Sequence, residues 1–231
     1  MSRTATTFRN RAAPRGLRLA LAALLSLFLI GCSEAASNNR AVFVLLDISN
    51  GYAQEREKVQ QLSAYLLSEL GAGDSLAVAF IDNSSFTERN IIAQTTFDAR
   101  PSVVGQQKRA VLGKVQSFME GFETPSYHSD ITGGILLGRD YLHGTNAERQ
   151  HLFVLSDLHE DLPPELNRDM ALDLAGIRVV ALNVLRQRGD NNDPAAYHER
   201  LASWKARVEE DGGRWQVINE LERLPRRVAL R

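Results

Sequence analysis

Residues 41–46 read Ala-Val-Phe-Val-Leu-Leu, an unbroken apolar run closed by Asp47. A strand with one wet face alternates apolar and polar side chains; a run without alternation has to be covered on both faces. That segment alone restricts the chain to a layered arrangement with helices above and below a sheet. The downstream pattern agrees. Residues 54–70 place Val59, Leu62, Tyr65, Leu66 and Leu70 at helical spacing, and Gly71 ends the pattern. Residues 74–81 form a second apolar strand. The turn Asp82-Asn83-Ser84-Ser85 leads to a third at 90–97, close enough for an antiparallel hairpin. Pro101 opens a helix to about Met119, with Val103, Val104, Val111, Val115 and Phe118 inward. After a loop at 120–130 come a helix at 132–143, a strand at 151–155, a short helix at 166–175, a strand at 178–185, a helix at 194–210 and a last strand at 215–218. This alternation predicts an α/β fold: a doubly wound, mostly parallel six-stranded sheet with one antiparallel edge strand. The domain is read as residues 40–220, followed by a basic tail, 221–231, with Arg223, Arg226, Arg227 and Arg231.

Ligands of open parallel sheets bind beyond the carboxyl ends of the strands. Asp47 directly follows the first strand, and Asp157 follows the strand at 151–155 after one serine, so both carboxylates are expected at the same edge. Ser49 adds a hydroxyl two residues after Asp47, and Thr132 stands at a helix start after a loop able to reach that edge. Two acids with two hydroxyls form a hard-oxygen set suited to magnesium or manganese, or to calcium. His159, Glu160 and Asp161 read as a solvated loop, and Trp204 as core.

These residues resemble the von Willebrand factor type A (vWA) domain with its metal-ion-dependent adhesion site. The family places Asp-x-Ser-x-Ser after the first strand, a threonine in a later loop and an aspartate after the fourth strand. Asp47, Ser49, Thr132 and Asp157 match in order, and residues 73–80 resemble the family's second strand. Gly51 stands where the family has its second serine, so one direct ligand is missing; water or Asp130 is the candidate replacement. The resemblance implies a Rossmann-like vWA fold. It also implies a divalent cation, magnesium, manganese or calcium, whose open position takes an acidic group from an envelope protein or peptide. A metal-free scaffold of the same fold is the alternative that Gly51 favours.

The amino terminus differs in kind. Five arginines precede an uncharged apolar run at 19–31, roughly 13 residues where a membrane span needs about 20. The run ends Leu29-Ile30-Gly31-Cys32, which resembles the lipobox of bacterial lipoproteins. That resemblance implies a signal peptide at 1–31, cleavage before Cys32 and acylation of its thiol. Ser33 after Cys32 resembles the outer-membrane sorting pattern, on the periplasmic face. Residues 32–39 then form a short tether, expected to keep the Asp47–Asp157 edge near the bilayer. Removing 1–31 leaves 22 basic residues against 28 acidic, about −6, which argues against nucleic acid as a partner. Cys32 is the only cysteine, so disulfides and thiol catalysis within the domain are excluded. Phosphatase chemistry of the haloacid dehalogenase kind wants Asp-x-Asp, and Ser49 occupies the second place; no Gly-x-Ser-x-Gly elbow is present. The chain therefore reads as a non-enzyme.

Overall fold

The computed structural model describes residues 39–48, 56–122, 125–224 and 230. The expected signal peptide, Cys32, Ser49 and Gly51 lie outside them. β1 (Arg40–Asp47) carries the apolar run to the interior of the sheet, parallel to β2 (Ser75–Ile81) on one side and β4 (Arg149–Leu155) on the other. β3 (Ile91–Thr96) is antiparallel to β2 at one edge. β5 (Ile177–Leu182) and β6 (Arg214–Ile218) extend the parallel part, giving the order β3-β2-β1-β4-β5-β6.

Period-two alternation sends the side chains of β1 into two separate cores. Val42, Val44 and Leu46 pack under α1 (Arg56–Glu69) through Val59, Leu62 and Leu66, and under α2 (Pro101–Gly121) through Val104, Val111 and Val115. Ala41, Phe43 and Leu45 meet α3 (Ile131–Gly144) through Ile131 and Ile135, and the same core includes Trp204 and Val208 of α4 (Pro194–Glu210). Gly138 sets how closely α3 lies on the sheet. A Cβ there would stand 2.7 Å from Leu152 Cδ1 and 2.8 Å from Phe43 Cδ1.

One expectation changes. Residues 166–175 are not a helix: the crossover from β4 to β5 is irregular. Leu172 and Leu174, two residues apart and both fully buried, point into the core with strand-like spacing. Their amides go to the end of α4, Leu172 to Asp211 Oδ2 at 2.6 Å and Leu174 to Asp211 O at 2.8 Å. A helix would bind those amides to its own carbonyls; here Asp211 accepts them instead. The described residues after 220 also pack on the domain. Leu221, Leu224 and Leu230 are buried in the core beneath α1 and α2; residues 225–229 and 231 lie outside the described ones.

His151, in the first half of β4, is only 5% exposed. Burial, and then the charges of Arg178, Arg214, Arg40 and Arg149, lower its pKa to about 4. Between about pH 6.5 and 4 the unfolded chain binds a proton that the folded chain refuses, so stability falls as pH drops through that window. Urea unfolding should lose about 2–3 kcal/mol from this group between neutral pH and about pH 4.5, and His151→Phe should remove that part of the dependence. Identical pH profiles for the two proteins would contradict it.

Candidate functional site

The register Leu46↔Leu155 places the residues that follow, Asp47 and Ser156, side by side at the carboxyl edge of the sheet. Both are buried, and Ser156 Oγ donates to Asp47 Oδ2 at 2.6 Å. A second hydroxyl arrives from the loop before α3: Ser129 Oγ lies 3.4 Å from the same oxygen. That loop is laced into place. The Ser126 amide donates to Ile48 O at 3.2 Å, and the Asp130 amide to Asp82 O at 2.9 Å. Asn83 Oδ1 accepts from Ser126 Oγ at 2.6 Å and from the His128 amide at 3.1 Å. Ser129 and Asp161 exchange both backbone hydrogen bonds, at 2.9 and 3.2 Å.

Asp130 is fully buried and caps α3, accepting from the Gly133 amide at 2.8 Å. Its other oxygen takes the Ser85 amide at 2.7 Å, and Arg168 binds both, with Nε 3.0 Å from Oδ1 and a terminal nitrogen 2.8 Å from Oδ2. A Cβ at position 133 would lie 2.2 Å from Oδ2, so the cap requires glycine there. Four donors in protein geometry hold this carboxylate, which makes it a poor substitute ligand for the place left by Gly51.

Thr132 is also turned to other partners. Its hydroxyl donates to Glu160 Oε2 at 2.9 Å and accepts from Arg207 at 2.7 Å, and its amide donates to Glu160 Oε1 at 2.6 Å. The hydroxyl brought to Asp47 from this loop is that of Ser129, three residues earlier. Asp157 sits half-buried on the rim, accepting from Gln187 Nε2 at 3.1 Å and from the His159 amide at 2.9 Å. Of the four expected donors, Asp47 and Asp157 stand at the same edge, Thr132 is held by Glu160 and Arg207, and Ser49 lies outside the described residues.

Ser129, Ser156 and Arg207 are not among the residues the sequence pattern brings to the site, and Glu160 is expected there only as part of a solvated loop. The neighbouring position of Ser156 follows from strand register, which single-strand patterns do not supply. Glu160 and Asp161 are not a free solvated loop: Glu160 holds Thr132, and Asp161 Oδ2 lies 2.9 Å from His128 Nδ1. Trp204 is core as expected, donating from Nε1 to Leu158 O at 2.9 Å. Beside the site, Tyr127 is 80% exposed. Among the described residues no group of three or more His, Cys, Asp or Glu side chains is placed to hold a metal. A cation at this edge would therefore rest on two carboxylates and hydroxyl oxygens, a donor set compatible with a hard ion bound weakly and keeping much of its water.

No family model matches the chain, and no curated protein matches it. Solved structures do. A von Willebrand factor type A protein from Catenulispora acidiphila aligns with a TM-score of 0.50 at 13% identity, over 81% of this chain and 40% of that one. This chain thus spans well under half the length of that structure. A conserved hypothetical protein BatB from Bacteroides thetaiotaomicron aligns at TM-score 0.44 and 16% identity, over 78% of this chain and 90% of that one. An aerotolerance-related membrane protein from Bacteroides fragilis aligns at 0.44 and 14%, over 81% and 94%. The sheet order and the first of these define the class: the chain has the vWA fold.

The Asp130 network is testable through its arginine. Arg168→Ala leaves a fully buried carboxylate without its countercharge, and chemical denaturation should show a loss of about 3 kcal/mol. A loss under about 1 kcal/mol would show that the amides alone hold the acid.

Proposed function

We propose that this chain is a lipid-anchored protein of the bacterial envelope whose vWA-like domain binds a protein partner at the Asp47 edge. In this reading Cys32 carries the anchor, the chain resides on the periplasmic face of the outer membrane, and the domain is a binding module, not an enzyme. The carrying observation is the convergence of Asp47, Ser156 and Ser129 from three separate segments onto one carboxylate oxygen. This constellation lies at the carboxyl edge of a parallel sheet, where ligands of open sheets bind. Tyr127 supplies an exposed aromatic beside it, the kind of side chain that anchors protein interfaces. Within the proposal, Asp47, Asp157 and Ser129, with Ser49, hold a magnesium or manganese ion, and an acidic group of the partner completes its shell. The cation would contribute an electrostatic contact of fixed direction, while the protein's share is to hold the oxygens at a rigid edge. Among the described residues no helix is long and apolar enough to cross a membrane.

One observation favours a metal-free scaffold as a second reading. Ser156 and Ser129 already serve Asp47 Oδ2, and Thr132 is committed to Glu160 and Arg207. Metal titration separates the two. A cation bound to the folded state at a hundredfold excess over its Kd adds about 2.7 kcal/mol, which raises Tm by roughly 5–10 °C in a domain of this size. The metal-dependent reading expects that rise in magnesium or manganese, its loss in Asp157→Ala, and loss of partner binding in EDTA. Unchanged melting with full binding in EDTA would leave the metal-free scaffold.

A further inference from the structure

Three aspartates past the strand ends keep different company. Asp130 is held by Arg168. Asp190, buried in the loop after β5, takes the fork of Arg200, with terminal nitrogens 3.2 Å from Oδ1 and 2.8 Å from Oδ2. Those two charges are cancelled within the fold. Among the described residues no lysine or arginine forms an ion pair with Asp157. Its carboxylate receives neutral N–H groups only, the His159 amide on Oδ1 and Gln187 Nε2 on Oδ2. A carboxylate oxygen can accept two hydrogen bonds, so each keeps a lone pair open and the negative charge stays with them.

An arginine touches Asp157 and yet leaves that charge alone. Arg200 Nε donates to the Asp157 carbonyl oxygen at 3.0 Å, while its two terminal nitrogens go to Asp190. Asp190 Oδ2 also accepts the Gln187 amide at 2.7 Å, and the Asp190 amide donates to Gln187 O at 3.1 Å. The contacts close a ring: Asp157 side chain, Gln187, Asp190, Arg200, and back to the Asp157 main chain.

The backbone beside Asp157 is forced as well. Leu158 has φ 62°, a left-handed conformation that a bulky side chain adopts only under constraint. Its amide donates to Ser156 Oγ at 2.9 Å, and its carbonyl accepts from Trp204 Nε1 at 2.9 Å. Arg200 and Trp204, one turn apart on α4, thus hold the consecutive carbonyls of Asp157 and Leu158. Such strain persists only where the surroundings over-determine it, and it gathers at functional sites.

We propose that Gln187 is a positioning residue: it aims the uncancelled Asp157 carboxylate at a divalent cation on the Asp47 edge, while Asp190 keeps Arg200 from pairing with that carboxylate. The inference rests on the metal-dependent reading of the proposed function. A neutral donor orients an anion without cancelling its charge. An arginine in the same place would orient it and leave little for a cation. Hydrogen-bond partners behind a metal ligand set its direction and its affinity without touching the metal. Gln187 carries no mark in the sequence, because its contact joins two loops thirty residues apart.

The full chain in detergent is titrated with manganese, and the free ion is read by electron paramagnetic resonance. The parent should bind the ion and Asp157→Ala should not. Gln187→Leu removes the donor and keeps the bulk, and should weaken binding about tenfold. Gln187→Lys keeps a donor on Asp157 but adds the charge that the native residue lacks. It should weaken binding more than leucine does, while the Tm of the cation-free protein stays at or above that of the leucine variant. A purely structural role for Gln187 expects the opposite order, with lysine restoring both stability and binding. Parent-like affinity in either Gln187 variant overturns the positioning role alone. A parent that binds no manganese, or binds it as Asp157→Ala does, overturns the metal-dependent reading and the positioning role together.

Discussion

Asp130 has no contact with water, and a carboxylate in that position survives only if every lone pair is met. The donors that meet it come from three places: the first turn of α3, the turn after β2, and Arg168 in the irregular crossover between β4 and β5. One side chain therefore ties together the segments that border the Asp47 edge. The cap fixes where α3 begins, the α3 start fixes the preceding loop, and that loop delivers Ser129 to Asp47. Arg207 adds a second tie, bridging Thr132 Oγ1 to the Arg168 carbonyl oxygen from α4. The edge is held rigid by polar contacts, while the two apolar cores below it hold the sheet.

The layered fold was readable because its causes are local. An apolar run without alternation specifies a strand covered on both faces, and the helix between Pro194 and Glu210 has its proline start and its Gly212-Gly213 stop written into the chain. The crossover at 166–175 was not readable. Leu166, Met170 and Leu174 fit a helical stripe, yet the amides of Leu172 and Leu174 are claimed by Asp211 from a helix about forty residues away in sequence. Local periodicity cannot weigh such a long-range contact.

The candidate site divides in the same way. Asp47 and Asp157 were visible because a residue just past a strand end has a predictable position. Thr132 was misplaced by a matter of register. The helix starts at Ile131 with Asp130 as its cap, so Thr132 lies inside the first turn. Each residue along a helix rotates the side chain by about 100°, and a shift from cap to second helical position turns the hydroxyl away from Asp47 and toward Glu160. The cap position was within reach of sequence reasoning, since an aspartate three residues before Gly133 is the better cap of the two. Ser129 and Ser156 required the register of β1 against β4 and the path of a loop, which only the assembled fold supplies.

At the carboxyl end of the sheet the Asp47 carboxylate is lined by the hydroxyls of Ser156 and Ser129. In the function proposed above, the Asp47 end of the sheet meets a protein. A photoreactive phenylalanine analogue in place of Tyr127, activated in the intact envelope, tests this directly. A discrete protein adduct is expected at that position, lost when Asp47 is replaced by alanine. Adducts with lipid alone, or the same protein adduct in the Asp47→Ala variant, would contradict it.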